Sequence, residues 1–463
     1  MGAMAEGGAA IAHHHQQQQP VAIDTSSAVV AAAKNSFPSQ NGFSHHPFAQ
    51  SFVLDAEEEE EEGGGEGGEG GSDAAVAAVA AGVDYGYGQQ QQQQQEEKCP
   101  PVVVGLQPVA LVDHVAKVDW SLLDAVPGER GGSMRVTAEE LDHILAEVNT
   151  HMLPVVSSSS SAVRTLAGGS VANTIRGLAG GLGIRTSLVG VRGDDERGQM
   201  FAANMKMAGV DLTRLREVRG GRTAQCACLV DAEGNRTMRP CFLNAVGLKA
   251  EELSKKDFRG AQWLVLNGYG FYGTELLETA VHHAKQEGVK ISMDLASFEV
   301  VRNFRPRLMR LLESGNVDLV FANEDEAREL IKGEEEEEDN KDFTSSSPES
   351  SLRFLANYCE RAVVMLGAKG CIARHGKEMV RVSAIRETVT VDTTGAGDLF
   401  ASGFLYGILN NLSLEDCCKM GCCTGGAVVR GLGGEIAEEG WQWMHQQLIA
   451  KQLPPVRFPV RVS

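Results

Sequence analysis

Three short apolar runs, WLVLNG (Trp263–Gly268), VKISMDLAS (Val289–Ser297) and VDLVFAN (Val317–Asn323), are separated by helical stretches such as that around Leu276–Gln286. A run this short and this continuously apolar reads as a strand buried on both faces. A helix between two such strands returns the chain to the same sheet edge, so the next strand runs parallel to the last. The repeat therefore predicts an α/β fold: a three-layer α/β/α sandwich with a largely parallel central sheet.

The charge of the chain is unevenly spread. The formal net charge of −20 over 463 residues resides in two segments. Residues 1–100 hold 15 acidic and 2 basic side chains, and residues 333–351 hold 8 and 1, which together account for all of it. The remainder is neutral and offers no basic face for nucleic acid. No apolar run approaches the ~20 residues that span a bilayer. The N-terminus lacks a charged region followed by an apolar stretch, so no secretory signal is expected. Ten cysteines then read as reduced thiols of a cytoplasmic protein, with plastid or nuclear location also open. Residues 1–98, with His13–His15, Glu57–Glu62 and Gln89–Gln95, are of low complexity and are expected to be disordered. The acidic insert 333–351 reads as a disordered surface loop. The folded domain is expected over 99–455, with 456–463 a tail.

Within that domain, VVVGLQPVALVDHVAKV predicts a buried strand, a turn at Gly105–Pro108, and a second apolar run ending at Asp113. A carboxylate at a strand end can present itself to a ligand, or cap a helix, or form a surface salt bridge. Apolar spacing predicts a helix over Thr137–Val148, and Ser157–Ser161 reads as a loop. The pair Gly168-Gly169 permits close backbone approach before an Ala/Leu-rich helix whose first turn holds Asn173. That amide suits a pair of sugar hydroxyls, or packs as a structural group. RTAQCACLV (Arg222–Val230) alternates as a strand, with Cys226 and Cys228 on one face and a hairpin partner beyond AEGN. Asn323 and Glu326 close the strand Val317–Asn323; their oxygens suit Mg²⁺, and equally a capped acidic helix start. AVVMLGAKGCIA (Ala362–Ala373) is a strand, a turn through Gly367, Lys369 and Gly370, and a strand. Four cysteines, Cys417, Cys418, Cys422 and Cys423, share one helix with adjacent pairs pointing apart, which favours helix packing over zinc.

Val391–Phe404, VDTTGAGDLFASGF, reads as a strand end, a glycine turn and a helix start. Gly395, Ala396 and Gly397 expose backbone N–H groups at a helix N-terminus, where dipole and free donors attract an anion. Asp398 lies at the rim of that anion site. A carboxylate is costly there, which points to a general base taking a proton from a hydroxyl while the turn holds a phosphoryl group.

These motifs, in this order, resemble those of the ribokinase-like (PfkB) sugar and nucleoside kinases: an early strand Asp113, G-G-x-x-x-N at Gly168–Asn173, N-x-x-E at Asn323–Glu326, G-x-x-G at Gly367–Gly370, and D-T-T-G-A-G-D at Asp392–Asp398. The resemblance covers about residues 102–445, and GGSVAN is similar in spacing to adenosine kinases. It implies a ribokinase-like domain with a small β lid, for which 114–135 and 222–245 are the candidates. It implies transfer of phosphate from ATP to a primary hydroxyl of a nucleoside, or of a sugar such as ribose or fructose, by a monomer or homodimer. Asp113, Gly168, Gly169 and Asn173 would hold the acceptor. Asn323, Gly367, Lys369, Gly370 and Gly425 would lie along the nucleotide, and Glu326 at Mg²⁺. Asp392 and Thr394 match positions that hold a monovalent cation such as K⁺. A member that has lost catalysis and serves as a regulatory or interaction protein is the reading from another class.

Overall fold

The computed structural model describes residues 102–153, 163–242, 244–335, 347–386 and 388–456, all within the compact unit Gln92–Ser463. The low-complexity tail, the Ser157–Ser161 loop, residues 336–346 of the acidic insert and the last seven residues lie outside the described residues. The ends of that insert are helical, in Glu324–Glu335 and Pro348–Leu355, rather than loop.

The described strands in chain order are β1 (Val103–Gln107), β2 (Leu111–Lys117), β3 (Arg164–Gly168), β4 (Thr186–Gly193), β5 (Leu215–Val218), β6 (Ala224–Val230), β7 (Arg236–Cys241), β8 (Trp263–Asn267), β9 (Lys290–Asp294), β10 (Leu319–Asn323), β11 (Arg361–Met365), β12 (Cys371–His375) and β13 (Glu378–Val382). Nine of them form one sheet in the order β13-β12-β11-β10-β9-β8-β1-β4-β5. Its pairs from β5 to β11 are parallel, and β12 and β13 extend it antiparallel. The apolar runs behave as expected of strands covered on both faces. In β10, Leu319 and Phe321 enter one core and Val320 and Ala322 the other. The first core is closed by the helices Ser170–Gly180, Ala396–Leu409 and Leu414–Val428, the second by Leu276–Gln286, Phe298–Glu313 and Glu324–Glu335. Helices on both faces of a mostly parallel sheet make the three-layer α/β sandwich.

A second, four-stranded sheet has the order β3-β2-β6-β7. It takes in both strands of 222–245 and all of β2, of which only residues 114–117 fall in the candidate segment 114–135. It adds β3, which lies in neither candidate segment. One face is covered by the helix Ala138–His151, whose Leu141, Ile144 and Val148 pack with Ala227 and Leu229. Thr137 starts that helix with a reciprocal capping box to Glu140, two orphan N–H groups satisfied at once.

Two local expectations are corrected. The chain does not turn at Gly105, which sits inside β1 because any Cβ there would lie 2.5 Å from Ile175 and 2.6 Å from Val171 of the helix beneath. The turn falls after Gln107, and Asp113 consequently lies inside β2, not at its end. Nor does a strand precede the glycine turn at 395. The backbone N–H groups of Val391 and Asp392 donate to the Val429 carbonyl, and that of Thr393 to the Gly234 carbonyl, so tertiary bonds hold this segment in place of a ladder.

The helices Ala396–Leu409 and Leu414–Val428 cross where Gly403 has no side chain; a Cβ there would lie 2.3 Å from Thr424 Oγ1 and 2.5 Å from the Met420 carbonyl. Gly403→Ala is expected to force the pair apart and cost about 1–3 kcal/mol, read as a lowered urea midpoint; an unchanged midpoint would refute so close a crossing.

Candidate active site

In an open parallel sheet, ligands bind beyond the carboxyl ends of the strands. Asn267 ends β8, Asp294 ends β9, Asn323 ends β10 and Met365 ends β11. They stand side by side in register, Asn267 opposite Asp294 and Asn323 opposite Met365. The turn at 395 faces this edge, with Met365 3.4 Å from where a Gly397 Cβ would be.

Gly395 adopts φ +76°, a left-handed conformation that glycine takes at low cost, and a Cβ on it would lie 2.7 Å from Gly434 Cα. No side chain caps the helix it starts. The Ala396 N–H is taken by the Thr393 carbonyl, while those of Gly397 and Asp398 have no partner among the described residues. Two free donors and the positive end of a 14-residue helix therefore point into the cleft.

Asp398 sits in the first turn of that helix, part of its surface open to the cleft. One carboxylate oxygen accepts from the Ser170 hydroxyl and the other from Asn173 Nδ2 at 2.9 Å. The Asn173 amide oxygen accepts from Arg176 Nη2 at 2.8 Å. Arg176, itself buried, is anchored on the carbonyls of Ala167 (2.8 Å) and Gly434 (2.9 Å). Arg176 thus fixes which way the Asn173 amide faces, and Asn173 holds the carboxylate. Both ends of the Asn173 amide are engaged within the protein, in contrast to the free hydroxyl-binding pair expected of it. Burial raises the Asp398 pKa, opposed by the bonds from Ser170 and Asn173 and by the charges of Arg236 and Arg176.

On the acceptor side, Asp113 is 1 % exposed and its Oδ1 has no hydrogen-bond partner. Burial pushes its carboxyl up to about 7, against the pull of Arg176 and with the Asp398 charge adding to the rise. Gly168 is required beside it, since a Cβ there would lie 2.1 Å from Asp113 Cγ. Gly169 has φ +94° and packs on Gln107, and it starts the helix carrying Ser170 and Asn173.

Asn323 and Glu326 form a closed box. Glu326 accepts from Asn323 Nδ2 at 2.6 Å and from its backbone N–H at 2.8 Å, while Asn323 Oδ1 accepts the Glu326 N–H at 2.9 Å. Glu326 is buried, and burial together with the Asp294 charge raises its pKa. Asp294 is pushed up to about 7 by burial and by Asp398. On the nucleotide side, Gly367 (φ +55°) and Gly370 (φ +95°) close a tight turn after β11, and Lys369 Nζ stands 3.7 Å from Glu324. Gly425 lets the helix Leu414–Val428 approach the Ala396 carbonyl to 3.1 Å from a notional Cβ. Asp392 is fully buried, one oxygen accepting from the Thr394 N–H and the other from the Gly433 N–H, each at 2.7 Å. The Thr394 hydroxyl beside it is buried without a partner.

Five contributors escape the sequence reading: Ser170, Arg176, Asn267, Asp294 and Arg236. Asn267 Nδ2 donates to Ser170 Oγ at 2.9 Å and to Asp294 Oδ1 at 3.3 Å, which links the first base contact to the metal side. Asn267 and Asp294 carried the signal that singled out Asn323, a polar residue ending an apolar run. Arg236 begins β7, and its guanidinium makes no hydrogen bond or ion pair among the described residues. Its charge nevertheless lowers the pKa of Asp294, Glu326, Asp392 and Asp398 together. Nothing in AEGNRTM marks it.

A carboxylate held at the mouth of an uncapped helix, with further carboxylates along the next strand ends, is an arrangement that suits phosphoryl transfer. Residues 138–439 match the pfkB family of carbohydrate kinases, and the chain belongs to that family. Among its relatives, adenosine kinase 2 of Arabidopsis thaliana is 27 % identical over 312 residues, 64 % of this chain and 87 % of that one. The 5-dehydro-2-deoxygluconokinase of Bacillus subtilis is 27 % identical over 271 residues, 57 % and 80 %. The crystal structure of adenosine kinase from Sinorhizobium meliloti superposes with a TM-score of 0.64 at 28 % identity, covering 76 % of this chain and 99 % of that one. A probable sugar kinase from Rhizobium etli does so with 0.64 at 29 %, covering 76 % and 98 %. The relatives are named as kinases of both sugars and nucleosides.

Asp113 titrates near 7 in the folded chain and near the ordinary 3.8 in the unfolded one. Between those values the folded state keeps a proton that the unfolded state releases, so this group's contribution to stability falls as pH rises through the window. Wild type should lose stability relative to Asp113→Asn across it, by up to about 4 kcal/mol, in urea melts on either side. A slope of the opposite sign would overturn the protonated, buried Asp113.

Proposed function

We propose that the protein transfers the γ-phosphoryl group of ATP to a primary hydroxyl of a nucleoside or sugar, with Asp398 as general base. The acceptor hydroxyl gives its proton to Asp398, its oxygen forms the new bond to phosphorus, and ADP departs with the electrons of the broken P–O bond. The Gly397 and Asp398 N–H groups and the helix dipole meet the charge that develops on the transferring group. Arg236, the cation felt by all four carboxylates and bonded to none, adds to that stabilisation once phosphate is present. The raised pKa of Asp398 brings its basicity toward neutrality, where a general base is most effective.

The donor set suits Mg²⁺ held through its own waters. Both Glu326 oxygens are already engaged with Asn323, and Asp294 is the less buried carboxylate beside them. Bound there, Mg²⁺ would neutralise phosphate charge. Asp392 with the orphaned Thr394 hydroxyl fits a monovalent cation that fixes the 395 turn from behind. Asp113, with Oδ1 unpartnered, holds the acceptor, and Gly168 and Gly169 let it come close. Gly367, Lys369, Gly370 and Gly425 border the nucleotide.

The single observation that carries this reading is Asp398 held by Ser170 and Asn173 at the end of an uncapped helix with free amides. The intact base and amides also favour an enzyme over a member that only binds. The purified protein, given Mg-ATP and a panel of nucleosides and sugars, should phosphorylate at least one. Asp398→Asn should lower kcat on it by about 10²–10⁴-fold with little change in the KM for ATP; equal turnover by the variant removes Asp398 as base, and no turnover on any acceptor removes the enzyme reading. Arg236→Met should lower kcat/KM by about 10²–10³-fold, and a variant as active as wild type would take Arg236 out of the centre.

A further inference from the structure

The active face of the four-stranded sheet carries a group that phosphoryl transfer does not use. Cys226 and Cys228 lie on that face two residues apart on β6. β2 pairs beside it in parallel, with Asp113 opposite Cys226 and Val115 opposite Cys228. All three side chains are buried, Asp113 and Cys226 at 1 % and Cys228 at 0 % exposure. The two sulfurs are 3.8 Å apart, and one ligand atom from each of the three residues lies within 4.8 Å of the others. Among the described residues this is the one cluster of its kind. The Cys226 thiol donates to a backbone carbonyl at 3.5 Å, and the second observation comes from the carboxylate: Asp113 Oδ1 is buried and has no partner.

We propose that Asp113, Cys226 and Cys228 form a three-ligand site for a zinc-class divalent ion, open at its fourth position. The sulfur spacing is the main geometric argument. Two thiolates on one tetrahedral zinc, at about 2.3 Å from it, stand about 3.8 Å from each other. A carboxylate oxygen at about 2.0 Å would lie roughly 3.5 Å from each sulfur, so the three ligand atoms, all within 4.8 Å of one another, would close up slightly on the ion. The donor set selects the ion. Two thiolates exclude Mg²⁺ and Ca²⁺, which take oxygen, while a third, carboxylate ligand in a tetrahedral arrangement favours zinc over Cu(I). Binding releases one proton from each thiol to solvent, and that of the Asp113 carboxyl where it carries one, with no change of oxidation state. The helix bearing Cys417, Cys418, Cys422 and Cys423 forms no comparable cluster with a carboxylate or histidine.

Because Asp113 is also the residue assigned to the acceptor, an ion here would compete with it; this consequence alone rests on the proposed function.

The full-length chain, freed of metal with a chelator and reloaded with Co²⁺, tests the site without any turnover. Expected is one cobalt ion per chain, with tetrahedral ligand-field bands, charge-transfer intensity matching two thiolates, and displacement by Zn²⁺. Cys226→Ser and Cys228→Ala should each weaken binding at least about tenfold, while Cys418→Ala with Cys422→Ala should leave the spectrum as it is. A band that survives loss of Cys226 and Cys228, or a wild-type spectrum with no thiolate or with four, overturns the proposal; the wild-type spectrum decides even where a variant misfolds. In turnover, Zn²⁺ should raise the KM for the acceptor and leave that for ATP unchanged. Ion binding without this effect keeps the metal site and refutes Asp113 as an acceptor ligand.

Discussion

The centre gathers carboxylates in a cleft that strips them of water, which disfavours their charged forms. Burial raises Asp113, Asp294, Glu326, Asp392 and Asp398 alike, and several of them raise one another. Unrelieved, such a group would take up protons and could not serve as the proposed base or metal neighbour. Two guanidiniums offset this from opposite sides. Arg176 works from beneath, by bonds to Asn173 and two carbonyls. Arg236 works from the second sheet by charge alone. One is locked and the other unbound, which suits a rigid support and a group that must meet an incoming phosphate.

Close backbone approach is the second constraint. Gly168 makes room for Asp113, Gly395 for Gly434, Gly403 and Gly425 for the crossing of two helices. At Gly168, Gly395 and Gly403 a methyl group would collide outright, and at Gly425 it would be tight. The Gly434 carbonyl then anchors Arg176, so the glycine pair at 433–434 serves Asp392 on one side and the base relay on the other. Substrate side and cation side are joined through backbone atoms with no freedom to drift.

The parts of this arrangement that sequence makes visible are those with a local pattern. Apolar runs divided by helices announce the parallel sheet, and Gly395–Asp398 announces a helix mouth with a base. Asn323–Glu326 appears as a strand end, although only coordinates show Glu326 bonded back onto Asn323. Elsewhere the pattern misleads. Gly105 has the look of a turn residue, yet its glycine serves a helix packed above the strand, and that shifts Asp113 into mid-strand. Arg176 has no local mark, because of its four acceptors only Asn173 is a close neighbour in sequence, and the others lie at Ala167, Asn204 and Gly434. Arg236 acts at long range on residues from three other elements and from the loop at Asp392, and no local spacing encodes that.

The Gly234 carbonyl accepts both the backbone N–H and the hydroxyl of Thr393, two residues before the left-handed Gly395. Gly234 itself lies in the hairpin between β6 and β7, two residues before Arg236. The strand pair that lines the acceptor side is therefore tethered to the turn that would grip the phosphoryl group. Any outward displacement of that hairpin would carry Arg236 and the Gly234 carbonyl away from the 395 turn together. A kinase built this way would leave its nucleotide poorly activated while no acceptor is seated, and so would protect it from transfer to water.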